Sequence, residues 1–215
     1  MQNQGASGSS GPLTNEEYDR IYQVIYGVLE DRANLPHACM FFAIAGSYLF
    51  NKVHKIAARP VAGAMLLCTE APVGAPPNVL CIGKQDQGKI SFDENNFHMW
   101  VQTEHHIVDF HSPLFGDGVK GPFTVPRKRF QKARTSEAQT LDLSQAGDWF
   151  MLPDPDLSTH FTDLFMERPS SVDLLKAVDA WYKPFPAPLA KMALLDNYGK
   201  VEPLRLAAPA AVGNW

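Results

Sequence analysis

The sequence lacks an excess of positive charge. Its 215 residues carry 19 Lys and Arg against 23 Asp and Glu, a formal net charge of −4 at pH 7. Proteins that bind nucleic acid through its phosphates need a basic surface, and this balance does not supply one. We therefore expect no nucleic-acid partner.

Long apolar runs are also missing. The longest, ACMFFAIAGSYLF at 38–50, has 13 residues, whereas a membrane-spanning helix needs about 20. The N-terminal MQNQGASGSSGPL has neither the basic start nor the apolar centre of a secretory signal. We expect no membrane association, a cytoplasmic location, and a disordered Gly/Ser-rich tail at residues 1–12.

Cysteine is scarce. Cys39, Cys68 and Cys81 contain no Cys-x-x-Cys pair and are an odd number at irregular spacing, so neither a zinc ribbon nor a disulfide framework is indicated. In a reducing compartment all three stay thiols. Cys68 and Cys81 lie in apolar segments, which is typical of buried, unreactive packing.

Helix and strand patterns fill the N-terminal half. Thr14 and Glu17 have the spacing of a capping box, and an amphipathic helix follows them. Pro36 suits the first position of a second helix, which is apolar on every side and therefore predicted to be buried. Apolar runs at 61–69, 78–83 and 88–93 predict strands, and 95–113 predicts two more.

The C-terminal half has weaker signals. Residues 112–148 read as loop, with RKRFQK at 127–132 as a solvated basic face, and 148–156 contains one short strand. The segment 169–185 predicts a helix that ends before Pro184, and the segment 187–199 predicts another that is stopped by Gly199. No repeat or linker is evident, so we predict one α+β domain over 13–215, with an antiparallel sheet between N-terminal and C-terminal helices.

Four of the seven histidines lie in NNFHMWVQTEHHIVDFHSP, residues 95–113. Alternate side chains of a strand share a face. A two-residue turn at Thr103–Glu104 would set His98 directly opposite Asp109, with their Cβ atoms about 5 Å apart. This register predicts an imidazole held beside a carboxylate, the arrangement of a general base with its orienting group.

Cys39 is the best candidate for the matching nucleophile. It follows Pro36 by three residues, in the first turn of the predicted buried helix. A helix N-terminus carries about +0.5 of an elementary charge and free N–H groups, which favour a thiolate. The same N–H groups would help to form an oxyanion hole.

This order of residues resembles that of the papain-like and transglutaminase-like superfamily, in which Cys starts a buried helix and His and Asp follow on adjacent strands. The resemblance is closest in HMWV and HHIVDF, and it covers about residues 34–113. It implies that Cys39 is the nucleophile, that His98 is the general base and acid, and that Asp109 orients His98. The chain also looks like a small bacterial family of unknown function with the cysteine-proteinase fold.

Four further residues are weaker candidates for contacts with substrate or oxyanion. Asn34 is either an oxyanion donor or a helix cap, and His37 either contacts substrate or is an exposed first-turn residue. Trp100 would shield the His–Asp pair from water or pack as an ordinary aromatic. His111 would line the entrance of the cleft or simply begin the next loop.

The resemblance implies a thiol hydrolase or acyltransferase that acts on an amide or peptide-like bond without metal or cofactor. Its acyl substrate would be a small molecule, a peptide or a protein. Two alternatives stay open. One is a catalytically silent binding or structural module of the same fold. The other is a metal site built from His105, Asp109 and His111, although these residues span about 20 Å of extended strand.

Overall fold

The structure is a computed structural model that describes residues 11–119, 124–195 and 198–215. Most of the tail predicted at 1–12 lies outside the described residues. The helices are α1 Asn15–Leu29, α2 Cys39–Leu49, α3 Phe115–Gly118, α4 Pro155–Met166 and α5 Pro169–Trp181. The strands are β1 Ala58–Glu70, β2 Asn78–Ile82, β3 Lys84–Asp86, β4 Lys89–Ser91, β5 His98–Thr103, β6 His106–Asp109, β7 Phe130–Ala133, β8 Trp149–Asp154, β9 Ala193–Leu195 and β10 Val201–Pro203.

The two N-terminal helices form largely as the sequence predicts. The Thr14 hydroxyl accepts the Glu17 N–H, and the Thr14 N–H donates to the Glu17 carboxylate, so the capping box of α1 is confirmed. Pro36 does not open α2, however. It lies in a separate 3-10 turn, Leu35–His37, and α2 starts after it at Cys39. The nucleophile candidate is therefore the first residue of a helix in which nine of 11 residues are buried.

A six-stranded antiparallel sheet lies at the centre, in the order β2-β1-β5-β6-β7, with β8 on the other edge of β1. The long strand β1 pairs with β5 through its first half, with β2 through its second half, and with β8 in between. The predicted combination of helices with an antiparallel sheet is thus confirmed. The predicted strand at 88–93 is shortened to β4, which forms a separate hairpin with β3.

Both faces of this sheet are covered by apolar side chains. On one face, Val101, Val108 and Phe110 pack against α1 and α2. On the other face, Trp100 and Ile107 join a second apolar cluster. The middle of the β5–β6 hairpin is consequently buried on both sides, and His98 and Asp109 lie in this dry part, each 1% exposed.

The prediction for residues 127–132 is wrong. Strand β7 lies in this basic segment and pairs with β6, and both Phe130 and Gln131 are buried. Arg129 is not simply solvated either, because its guanidinium binds both carboxylate oxygens of Asp19. The charged residues of the segment led to the prediction of a solvated face, but the segment also contains Phe130, and the burial of Phe130 positions the strand.

The C-terminal half contains two further corrections. Helix α5 is confirmed, but the helix predicted at 187–199 is absent from the described part of that range, which contains β9 paired with β10; residues 196–197 lie outside the described residues. Helix α4 was not predicted. Asp154 caps it and Pro155 is its first residue. A proline in this position was interpreted as the end of the preceding strand, although proline is also common at the first position of a helix. In the described ranges, no helix is both long enough and apolar enough to cross a membrane.

Candidate active site

The β5–β6 hairpin has a different register from the one predicted. Val101 lies opposite Val108, and the two turn residues are Glu104 and His105. The turn begins one position later than expected. The Thr103 hydroxyl accepts the His106 N–H at 2.9 Å, and this hydrogen bond joins the end of β5 to the start of β6.

The later turn shifts the pairing by two residues. By this register Trp100 lies opposite Asp109, and His98 is on the diagonal, whereas the prediction had His98 directly opposite Asp109. A shift by one residue would have reversed the faces, but a shift by two preserves them. His98 and Asp109 therefore still share a face and still meet.

His98 and Asp109 form a buried pair. Each is 1% exposed, and His98 Nε2 forms a hydrogen bond with Asp109 Oδ2. The other carboxylate oxygen, Oδ1, accepts the backbone N–H of His111 at 2.9 Å. The Asp109 backbone carbonyl accepts a hydrogen bond from the Tyr18 hydroxyl. The carboxylate is thus held at both oxygens and at its backbone.

The surroundings of His98 favour its protonated form. Burial is the largest influence on its pKa and lowers it, because a charge is disfavoured away from water. The charge of Asp109 and its hydrogen bond, with contributions from Cys39, together outweigh burial and raise the pKa of His98 to about 10. The ring is therefore an imidazolium at neutral pH.

Cys39 lies against the same ring. Cys39 is close enough to contribute to the raised pKa of the His98 ring. Because Nε2 faces Asp109, Nδ1 is the ring nitrogen that remains for Cys39. The backbone N–H of Cys39 is one of the first four of α2, which have no partner within a helix, and it makes no hydrogen bond with another described residue.

Asn34 and His37 are exposed residues beside the start of α2. The Asn34 side chain does not cap the turn that it precedes, so the capping interpretation is wrong. Both residues line a cavity of about 290 Å³ that Ala38 and Met40, the chain neighbours of Cys39, also line. Its apolar walls come from Leu29, Phe41, Phe165 and Leu174.

Trp100 and His111 are buried, at 1% and 3% exposure. The Trp100 ring centroid is 6.2 Å from that of His98, and the Trp100 Nε1–H has no partner among the described residues. The prediction that His111 lines a cleft entrance is wrong, because its ring lies inside the protein, with its Nε2 2.9 Å from the Leu35 carbonyl oxygen.

The three residues considered as metal ligands do not converge. The His105 side chain is 74% exposed at the hairpin turn, whereas Asp109 and His111 are buried and engaged with other groups. In the described ranges, no group of three or more His, Cys, Asp or Glu residues is arranged to hold a metal ion.

The other two thiols, Cys68 and Cys81, lie in places where their side chains serve packing. Cys68 is fully buried and its Sγ donates to the Glu70 carbonyl, while Cys81 is half-buried. Burial raises the pKa of both thiols. Sequence reasoning missed Tyr18, which supports Asp109; its only signal was a place on the apolar face of α1.

Comparisons with known proteins give one family and one fold. Residues 14–215, close to the predicted domain, match the family described as "Protein of unknown function (DUF2026)". No curated protein matches the chain. A solved structure described as "The crystal structure of genomics APC5867" is similar, with a TM-score of 0.82 over 98% of this chain and 100% of that chain. At 24% identity, this likeness shows a shared fold alone.

Proposed function

The chain belongs to the DUF2026 family of proteins of unknown function, and we propose that it is a cysteine-dependent hydrolase or acyltransferase with a papain/transglutaminase-like fold. It acts on an amide or peptide-like bond. Cys39, His98 and Asp109 carry the reaction through an acyl-enzyme.

One observation carries this proposal: a single buried imidazole interacts with a carboxylate on one side and with a thiol at a helix start on the other. A nucleophile, a base and a group that orients the base, placed side by side in this order, are what covalent acyl transfer requires. The raised pKa of His98 adds to the argument, because an imidazolium beside Cys39 stabilises the thiolate.

The reaction would begin with attack of the Cys39 thiolate on the acyl carbonyl carbon, which moves an electron pair onto the carbonyl oxygen. The Cys39 N–H donates to this oxyanion, and Asn34 is a candidate second donor. As the C–N bond breaks, the leaving amine takes the proton from His98 Nδ1. Water or an amine then attacks the thioester while His98 accepts its proton, and the thiolate is released.

Asp109 would act by holding the His98 ring rather than by taking its proton. Its Oδ2 binds His98 Nε2 and its Oδ1 is occupied by the His111 N–H, so the ring keeps one orientation. The 290 Å³ cavity lined by Asn34, His37 and the two chain neighbours of Cys39 is the space in which an acyl substrate, whether a small molecule or part of a peptide, would bind.

A second candidate function is a catalytically silent binding or structural module. Cys39 is 7% exposed and His98 1% exposed, and this burial favours it. An acyl group reaches the Cys39 sulfur only if neighbouring side chains move aside, and a module without activity needs no such movement.

Site-resolved alkylation separates the two. With iodoacetamide near pH 7, followed by mass spectrometry of each cysteine peptide, we expect Cys39 to react much faster than Cys68 and Cys81. His98→Ala would remove the difference, whereas His160→Ala, at an exposed histidine, would preserve it. A burst of nitrophenolate from 4-nitrophenyl acetate, absent in Cys39→Ala, would show the acyl-enzyme. Equal, slow labelling of all three cysteines would refute the enzyme proposal.

A further inference from the structure

His111 connects the two halves of the candidate site. Its backbone N–H donates to Asp109 Oδ1, and its ring Nε2 lies 2.9 Å from the Leu35 carbonyl oxygen. Leu35 begins the 3-10 turn that leads into α2. One continuous chain of hydrogen bonds therefore runs from His98 through Asp109 and His111 to the turn that precedes Cys39.

The tautomer of His111 follows from its partner. A carbonyl oxygen only accepts, so the proton is on Nε2, and Nδ1 is a bare acceptor that has no partner among the described residues. Burial lowers the pKa of His111 to about 4; the facing His98 and His37 act in the same direction, and Asp109 opposes them. The ring therefore stays neutral through the neutral pH range, and its Nε2–H keeps donating to the Leu35 carbonyl.

The Leu35 carbonyl links the His111 ring to the start of α2. It also accepts the Ala38 N–H at 3.1 Å, and Ala38 is the residue immediately before Cys39. A side chain that fixes this oxygen fixes the first residue of α2 relative to β6. Phe42 and Phe115 flank the His111 ring, with centroids 5.4 and 5.9 Å away, and limit its movement.

We propose that His111 is a positioning residue: its ring clamps the Leu35–His37 turn to the Asp109 end of β6 and so sets the separation between the Cys39 thiol and the His98 ring. Its ring hydrogen bond goes to the Leu35 carbonyl, and its ring centroid is 6.1 Å from that of His98. The clamp itself is a property of the fold, and only its effect on Cys39 rests on the function proposed above.

Two substitutions separate the hydrogen bond from simple packing. His111→Phe fills the aromatic pocket but has no donor for Leu35. His111→Gln carries an amide nitrogen at nearly the same distance from the backbone as Nε2 and retains the donor. His106→Phe, at the histidine that begins β6 and lies outside this chain of hydrogen bonds, is the matched control.

Amide hydrogen exchange tests the clamp directly. We expect the Ala38 N–H to exchange at least about tenfold faster in His111→Phe, since the turn opens locally when its anchor is lost. His111→Gln should restore slow exchange, and His106→Phe should not change it. Unaltered exchange in His111→Phe would overturn the proposal, whether or not the protein is an enzyme.

Alkylation of Cys39 tests the consequence. A displacement of about 1 Å reduces reactivity by up to about a hundredfold, so we expect His111→Phe to label Cys39 at least tenfold more slowly at pH 7, with its pH profile displaced upward and partly restored in His111→Gln. Wild-type labelling with a wild-type profile would overturn the assigned role. If wild-type Cys39 itself is no faster than Cys68, the enzyme proposal fails instead, while the exchange result still decides on the clamp.

Discussion

Replacing Asp109 by Asn tests the charge pair at the centre of the site. The amide has nearly the same shape and still offers an oxygen to the His111 N–H, but it removes the negative charge that faces His98. Burial, the largest influence on the His98 pKa, would then act without the opposing carboxylate. The His98 ring in the variant would be neutral at pH 7.

The magnitude follows from the raised pKa of His98. In the folded protein this pKa is about 10, against 6.5 for an ordinary histidine. A raised folded-state pKa gives a stability contribution that is complete below about pH 6.5 and is lost as the pH rises through about 10. Each pH unit in that window corresponds to about 1.4 kcal/mol, so the total is at most about 5 kcal/mol. In the variant the His98 pKa lies low, and its contribution is constant above pH 6.5.

Urea denaturation at pH steps from 6 to 10 measures this difference. The free energy of unfolding of the variant is subtracted from that of the wild type at each pH, which cancels the Lys, Tyr and other Cys groups that titrate alike in both. We expect the wild-type advantage to shrink by at least about 2 kcal/mol between pH 6.5 and 10. Asp163→Asn, at an exposed aspartate of α4, should give a constant difference.

A difference that stays constant across this range would refute the reasoning. It would mean that Asp109 does not hold His98 in its charged form, and the thiolate–imidazolium premise of the proposed reaction would fail with it.

Two further predictions concern the support of the site. Tyr18→Phe removes the buried hydroxyl that donates to the Asp109 carbonyl and contacts the Ser112 hydroxyl. We expect urea denaturation at pH 7 to show a loss of about 1–3 kcal/mol in the free energy of unfolding. A loss no larger than that of Tyr26→Phe, at a more exposed tyrosine, would contradict this prediction. In Gly63→Ala, the added Cβ would overlap the Leu152 carbonyl oxygen. We therefore expect β1 and β8 to be forced apart, with a loss of about 3 kcal/mol in the free energy of unfolding. A melting temperature equal to that of the wild type would count against this close approach of the two strands.

Local patterns determined much of the secondary structure. The Thr14–Glu17 box, the buried character of α2 and the strands around β1 and β5 were predicted, since capping and periodicity depend on residues three or four positions apart or on strict alternation. The same alternation put His98 and Asp109 on one face of the hairpin. It did not determine the register, because the Thr103 hydroxyl selected a turn one residue later than expected.

Long-range packing decided the rest. Whether Phe130 and Gln131 form a buried strand or a solvated basic face depends on a pairing with β6 that no neighbouring residue encodes. Helix α4 was missed because proline both starts helices and stops strands, and the surrounding structure chooses between the two. Strand β9 was predicted as a helix because its pairing with β10 is not encoded by its neighbouring residues.

The candidate site shows this division most clearly. The residue types and their order in the sequence were enough to single out Cys39, His98 and Asp109. Only the tertiary structure assigned His111 its place, because its partner Leu35 lies 76 residues away and burial, not sequence, keeps its ring neutral. An imidazole is charged or neutral according to the water and charges around it, and those are fixed by the folded chain.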